Sequence, residues 1–318
     1  MKMILRNKKA VVTGGAGFIG SHLVEELVRR NCEVTVIDDL SNGTLKNISE
    51  VRKKITLIVD STTRKKIVEE NIQGVDVVFH EASGNLVSST RSPYKDLEKT
   101  GKSILNILES IRKKSNDTVL VFASTGSVYG EPIYFPQKED HPCNPSSPYG
   151  ISKLAAEHYI NFYVKEHSVK AVSLRYYNVV GKRQNYDDDG GVVPIFIRRM
   201  LLGKQPIITG DGTQSRVFTS VHDVVGANIE AYVCDKGYGH AFNIATNEAM
   251  TINDLAKLVC SFSSKPLVPE YTKPRVGDIH DFSPDITLAK EILGYTPKQS
   301  LRDVIPEIIE WMKSELRL

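Results

Sequence analysis

Residues 10–20 read AVVTGGAGFIG. Ala10–Thr13 is a short β-branched run, the pattern of a buried strand. From Thr13 the glycines crowd. Gly15, Gly17 and Gly20 fit GxGxxG, and Gly14, Gly17 and Gly20 fit the variant TGxxGxxG equally well. SHLVEELVRR follows, with its apolar residues at helical spacing. The glycine-rich turn therefore lies between a strand and a helix, the context in which such a motif has a mechanism. A backbone without Cβ atoms turns tightly and comes close to a pyrophosphate. The helix start adds free N–H groups and a partial positive charge. Gly14, Gly17, Phe18, Ile19 and Gly20 are the expected cradle.

Outward from that turn the pattern repeats. Glu33–Ile37 (EVTVI) reads as a second strand and ends at Asp38, 18 residues past Gly20. A carboxylate there suits the ribose hydroxyls of a dinucleotide and repels a 2′-phosphate, which favours NAD over NADP. Asn42 and Gly43 follow in the adjoining loop. Residues 55–59 (ITLIV) and 75–80 (VDVVFH) read as third and fourth strands. Strand–helix alternation at this pitch implies a doubly wound parallel sheet, a Rossmann-like α/β fold with helices on both faces. Ligands of such sheets lie beyond the carboxyl ends of the strands. Asp60, Ser61, Ala82 and Ser83 are therefore expected to line a cofactor site. His80, at a strand end, reads more readily as a hydrogen-bonded core residue.

The 318 residues are 41% hydrophobic and 25% charged, ordinary for a globular chain of one large or two moderate domains. The net charge is +3, and lysine pairs such as Lys65-Lys66 alternate with acids, so no nucleic-acid partner is expected. No apolar run approaches a membrane span of roughly 18 residues, and the N-terminus enters a strand without a leader pattern. Cys32, Cys143, Cys234 and Cys260 lie far apart. That spacing suits reduced thiols in the cytoplasm and offers no metal site.

Residues 118–123 (TVLVFA) read as a fifth strand that delivers Ser124 and Thr125 to the carboxyl edge. Then comes Ser147–Tyr159, SPYGISKLAAEHY, with Tyr149 and Lys153 one helical turn apart on one face. A phenol near pKa 10 is a poor base at neutral pH. A neighbouring ammonium would favour the phenolate. The TGGAGFIG turn, the aspartate after the second strand, the hydroxyl pair before VYG and the YxxxK helix together resemble the extended short-chain dehydrogenase/reductase family. Within it the chain is most similar to NAD-dependent nucleotide-sugar epimerases of the UDP-glucose 4-epimerase type, from about residue 8 to near the C-terminus.

The resemblance implies a bound NAD that takes hydride from C4 of a UDP-sugar and returns it to the opposite face of a 4-keto intermediate. Tyr149 would be the base, Thr125 with Ser124 would hold the reacting oxygen, and Lys153 would also bind the nicotinamide ribose, with Tyr176 nearby. In the family, relatives that dehydrate or decarboxylate carry an acid in the step after the catalytic Thr, directly before the Val of VYG. This chain has Gly126 and Ser127, which favours epimerisation. Asn178 and Arg216, then Arg275 and Asp278, are implied contacts of the diphosphate region. Val192 and Val193 fall where the family packs the base. Phe282 falls at the edge of the sugar pocket, where bulk goes with rejection of N-acetylated sugars.

The implied organisation is a cofactor domain over 1–175, with interleaved segments near 217–244, and a substrate domain over 176–318. Residues 92–114 and the Tyr149 helix are implied to pair with their copies in a homodimer. Four positions depart from the family pattern: Glu81, Thr100, Lys182 and Phe218. The rival readings are a UDP-N-acetylhexosamine 4-epimerase, another keto-sugar-forming enzyme, and a dinucleotide-sensing protein without turnover.

Overall fold

The computed structural model describes residues 5–114, 117–187, 189–273 and 281–318. The β-branched runs form seven parallel strands: β1 (Lys9–Thr13), β2 (Glu33–Ile37), β3 (Ile55–Ile58), β4 (Val77–His80), β5 (Val119–Thr125), β6 (Lys170–Tyr176) and β7 (Ala241–Ile244). They pair in the order β3-β2-β1-β4-β5-β6-β7. The order reverses between β1 and β4, which opens a crevice at their carboxyl ends.

Alternate strand residues face opposite sides, and each side is capped by helices. Val12, Val77, Phe79 and Val121 pack with α1 (Phe18–Arg29). Val11, Val78, Leu120 and Ala171 face the other way. They pack with α2 (Lys65–Asn71) and, further along the chain, with the helices that follow β4 and β5. After β4 come α3 (Leu86–Arg91), α4 (Pro93–Leu97), a π-helical turn at Glu98–Lys102 and α5 (Ser103–Lys114). The expected helix over 92–114 is thus present, with one π turn inside it. After β5 comes α6 (Pro148–His167).

A second core forms from α7 (Val192–Leu201), α9 (Ile252–Cys260) and α10 (Leu301–Leu316), around Phe196, Ile197, Leu255, Val304 and Ile308. α8 (Val221–Val233) and β7 pack into the sheet's core. A later segment returns to the same core. Ile286, Ala289, Leu293 and Tyr295 also pack into the first core. The chain crosses between the two cores because β7 must lie beside β6, and no local signal marks that. Among the described residues no helix is long and apolar enough to cross a membrane.

Candidate active site

The site begins with how α6 starts. The Ser147 hydroxyl accepts from Gly150 N at 3.1 Å, and Pro148 occupies the first turn. Gly150 lies against the turn that follows β5. A Cβ there would stand 2.6 Å from Ser127 O. This close approach places Tyr149 beside Thr125. One turn on, Lys153 runs inward, 1% exposed, and its Nζ donates to Ala123 O at 2.5 Å. Nζ lies 4.7 Å from the Phe122 ring centroid and 5.8 Å from that of Tyr149.

The electrostatics run opposite to the sequence expectation. The chain's own groups push Tyr149 up to about 12. Burial is the first cause, and the charges of Asp96 and Glu81 add to it. The hydroxyls of Thr125 and Ser83 beside the phenol pull the other way. Lys153 is pushed down to about 8, again by burial, against the charges of Glu81, Asp96 and Glu157. Desolvation disfavours both charged forms. Proximity in sequence said nothing of how dry this corner is.

Ser124 also differs from expectation. It lies inside β5 rather than beyond it, and its Oγ donates to Glu157 Oε1 at 2.5 Å. Glu157 is in turn held by Arg175, Nη2 to Oε2 at 2.7 Å, with both side chains buried. The Ser124 proton is thus committed to a structural pair, and Thr125 is the hydroxyl turned to Tyr149. Thr125 Oγ1 also accepts from Ser127 N at 3.2 Å.

Tyr149, Lys153, Ser124 and Tyr176 open into a cavity of about 780 Å³ along the sheet's carboxyl edge. Gly14, Gly17, Phe18, Ile19, Gly20, Asp38, Asn42, Gly43, Asp60, Ser61 and Ala82 line the same cavity. Their fit to a dinucleotide is a matter of space and donors. A Cβ at Gly14, where φ is +67°, would stand 2.7 Å from Ala82 N, and one at Gly20 would stand 2.2 Å from Gly14 O. Gly17 caps α1 with no side-chain bond, which leaves the first-turn N–H groups for an anion. Asp38 accepts from Ala16 N and Leu40 N, each at 2.8 Å through a different oxygen. Each oxygen keeps a second acceptor site. His80 is core, as read from its position. It is fully buried, with Nδ1 2.6 Å from Thr13 Oγ1.

The substrate-side residues are less gathered. Asn178 Nδ2 donates to Val217 O at 3.0 Å, next to Arg216. The Arg216 guanidinium lies 5.3 Å from the Phe282 ring, which packs edge-on against Tyr177. Asn178, Arg216 and Phe282 thus cluster. Val193 instead turns into the second core, 1% exposed, with Val192 packed beside it. The start of α7 spends that face on packing. Arg275 and Asp278 lie outside the described residues.

Other lining residues escaped the sequence reading. Asn47 Nδ2 donates to Ala16 O at 2.9 Å and pins the glycine turn. Lys99 Nζ donates to Ser41 Oγ at 2.7 Å. Trp311 arrives from α10, far along the chain. Among the departures, Lys182 pairs with Glu307 at 3.2 Å and Phe218 is core. Thr100 is buried with its Oγ1 unbonded. Glu81 lines the cavity and accepts from the Tyr176 hydroxyl at 2.9 Å.

Fold and site together define an α/β enzyme built around a dinucleotide. The sequence profile of the NAD dependent epimerase/dehydratase family matches residues 10–245. The chain belongs to that family, and its cofactor is NAD. It resembles the crystal structure of UDP-glucose 4-epimerase with UDP-glucose from Thermotoga maritima, with a TM-score of 0.91, 36% identity and 97% and 99% of the two chains covered. It likewise resembles UDP-N-acetylglucosamine 4-epimerase from Methanobrevibacter ruminantium, with a TM-score of 0.93, 31% identity and 98% and 99% covered. The UDP-N-acetyl-alpha-D-glucosaminuronate decarboxylase of Bacillus cytotoxicus is 34% identical over 318 residues, 96% of this chain and 98% of that one.

Proposed function

We propose that the protein is a UDP-hexose 4-epimerase that interconverts UDP-glucose and UDP-galactose. The observation that carries this reading is a triad with no acid behind it. Tyr149 and Lys153 line one cavity wall, the Thr125 hydroxyl stands beside the Tyr149 phenol, and the step after Thr125 holds Gly126 and Ser127. Position 126 is closed to a side chain, since a Cβ there would stand 2.6 Å from the Tyr177 ring, and position 127, directly before Val128, is a serine. Elimination or decarboxylation needs an additional proton-moving group, whereas epimerisation does not.

In this reading Tyr149 takes the proton of the C4 hydroxyl and later returns it. Thr125 holds the same oxygen in reach. Lys153 binds the cofactor's ribose and adds positive charge beside the phenol. NAD, held by the glycine turn, Asp38 and Lys153, would supply the hydride acceptor and donor and a positive charge that favours the phenolate. Asn178 and Arg216 face the diphosphate, since a planar, permanently charged fork suits its oxygens. Phe282 edges the sugar pocket and disfavours an N-acetyl group. Residues 1–175 with 217–244 form the cofactor half, and most of 176–318 the substrate half.

The second reading, an N-acetylhexosamine 4-epimerase, is favoured by the likeness to the Methanobrevibacter ruminantium structure. Incubation of purified protein with UDP-glucose, UDP-galactose, their N-acetyl forms and UDP-glucuronate, without reductant, tests both. Exchange of the glucose–galactose pair at constant total sugar is expected. Release of CO2 or water, or exchange of the N-acetyl pair alone, overturns the first reading.

Two further parts belong to the proposal. Tyr94 and Leu97 on α4, with Ile151, Tyr159 and Phe162 on α6, are exposed apolar residues on elements that pack together. We read this face as the seam of a homodimer. Four free cysteines suit the reducing cytoplasm.

A further inference from the structure

Glu81 follows β4, with its backbone N bonded to Thr13 O at 3.1 Å. Tyr176 ends β6. Between β4 and β6 in the sheet lies β5, and Lys153 Nζ rests on the Ala123 carbonyl of that strand. The Tyr176 hydroxyl donates to Glu81 Oε1 at 2.9 Å and accepts from Asn228 Nδ2 at 2.7 Å. Glu81 is therefore held from β6 and α8, over the strand end where the ammonium sits. Glu81, Tyr149, Lys153 and Tyr176 all line the one cavity.

The neighbouring charges leave Glu81 a distinct task. Glu157 on α6 is spent on Arg175 and Ser124. Asp96 on α4 is buried, and neither carboxylate oxygen has a hydrogen-bond partner. It stands behind Gly84, whose Cβ would lie 2.8 Å from Asp96 Oδ1. His80 on β4 is pushed down to about 3 by burial and stays neutral. An ammonium in such a place is costly without a compensating carboxylate.

We propose that Glu81 is a positioning residue: its carboxylate, anchored by Tyr176, is the counter-charge that keeps Lys153 an ammonium at the end of β5, beside Tyr149. The direction of the shifts agrees. Glu81 is the first group holding Lys153 up against burial. Burial pushes Glu81 itself up to about 7, against the Tyr176 hydrogen bond and the charge of Lys153. The sheet register sets Glu81 beside Ala123, the residue whose carbonyl holds Lys153 Nζ, so each charge acts on the other across that strand end.

The inference rests on the Tyr149–Lys153 assignment and not on which sugar is used. Its test reads the titration of Lys153 Nζ by NMR in protein labelled with nitrogen-15 lysine, carrying NAD and no sugar. The signal is assigned by its loss in Lys153→Met. Glu81→Gln keeps size and an acceptor for Tyr176 but removes the charge, and Glu81→Leu removes both. The Lys153 midpoint is expected to move to lower pH by about one unit in both variants. The alkaline limb of kcat/KM should move with it. A midpoint unchanged in Glu81→Gln overturns the proposal, including the case where only Glu81→Leu is impaired, because Glu81 then serves Tyr176 packing alone. The Gln variant decides the matter even if the Leu variant does not fold. Loss of epimerase activity on every sugar, with the midpoint shift intact, would count against the proposed reaction and leave the role of Glu81 standing.

Discussion

Lys153 meets a carbonyl at 2.5 Å, whereas its nitrogen is 5.8 Å from the Tyr149 ring centroid. The amine is aimed at the strand end and reaches the phenol only as a nearby charge. Tyr149→Phe removes the proton-accepting oxygen and little volume. Turnover is expected to fall by about 10²–10⁴-fold, with UDP-sugar affinity by calorimetry nearly unchanged. The pH dependence follows from the two shifted groups. With the phenol pushed up to about 12, its ionised fraction grows as pH rises through neutrality. Lys153, pushed down to about 8, loses its charge above that pH. The kcat/KM profile should therefore climb from pH 6 and turn down on the alkaline side of about 8. A flat profile between pH 6 and 8 would contradict the assignment of Tyr149 as base.

At the scale of elements, α6 is tied to β6 by Glu157 and Arg175. Their side chains are 4% and 7% exposed and meet at 2.7 Å. Arg175 also donates to the Tyr129 hydroxyl at 2.7 Å, so the pair sits in a wider polar network under the active site. Glu157→Ala leaves a buried guanidinium without its carboxylate. A loss of about 3–5 kcal/mol is expected in denaturant unfolding. The start of α6 is a smaller lever. Ser147→Ala should cost about 1 kcal/mol through the lost cap.

For the whole molecule, His22 reports on how α1 and α8, nearly 200 positions apart in the sequence, pack on one side of the sheet. It is buried on α1, its Nδ1 is 2.9 Å from Phe18 O, and its ring packs edge-on against His222 of α8. Burial pushes it down to about 4 from an ordinary 6.5. The folded chain thus holds it neutral where the unfolded chain is protonated. Stability is full above about pH 6.5 and falls as the pH drops toward 4. In His22→Gln, unfolding free energy measured between pH 6.5 and 4.5 should lose about one proton's worth of that slope. Association is expected through the face of α4 and α6, where Tyr94 is 88% and Phe162 is 51% exposed. Light scattering should find two chains, and Tyr159→Asp with Phe162→Asp should give one.

Much of this was written locally. The cradle from Gly14 to Gly20, the carboxylate at Asp38 and the first five strands follow from glycine's missing Cβ and from side-chain periodicity, which neighbours in sequence suffice to set. Tyr149 and Lys153 share a face because a helix has a fixed period. What surrounds them was decided in three dimensions. Ser124 proved bound to Glu157, 33 residues away, and Val193 turned into the second core. Trp311 reached the cavity from the far end of the chain, and the 286–295 segment returned to the first core. The shifts of Tyr149, Lys153 and Glu81 belong to the same class. Desolvation depends on which distant groups exclude water from a site and which charges share it, and spacing along one strand or helix carries no record of either.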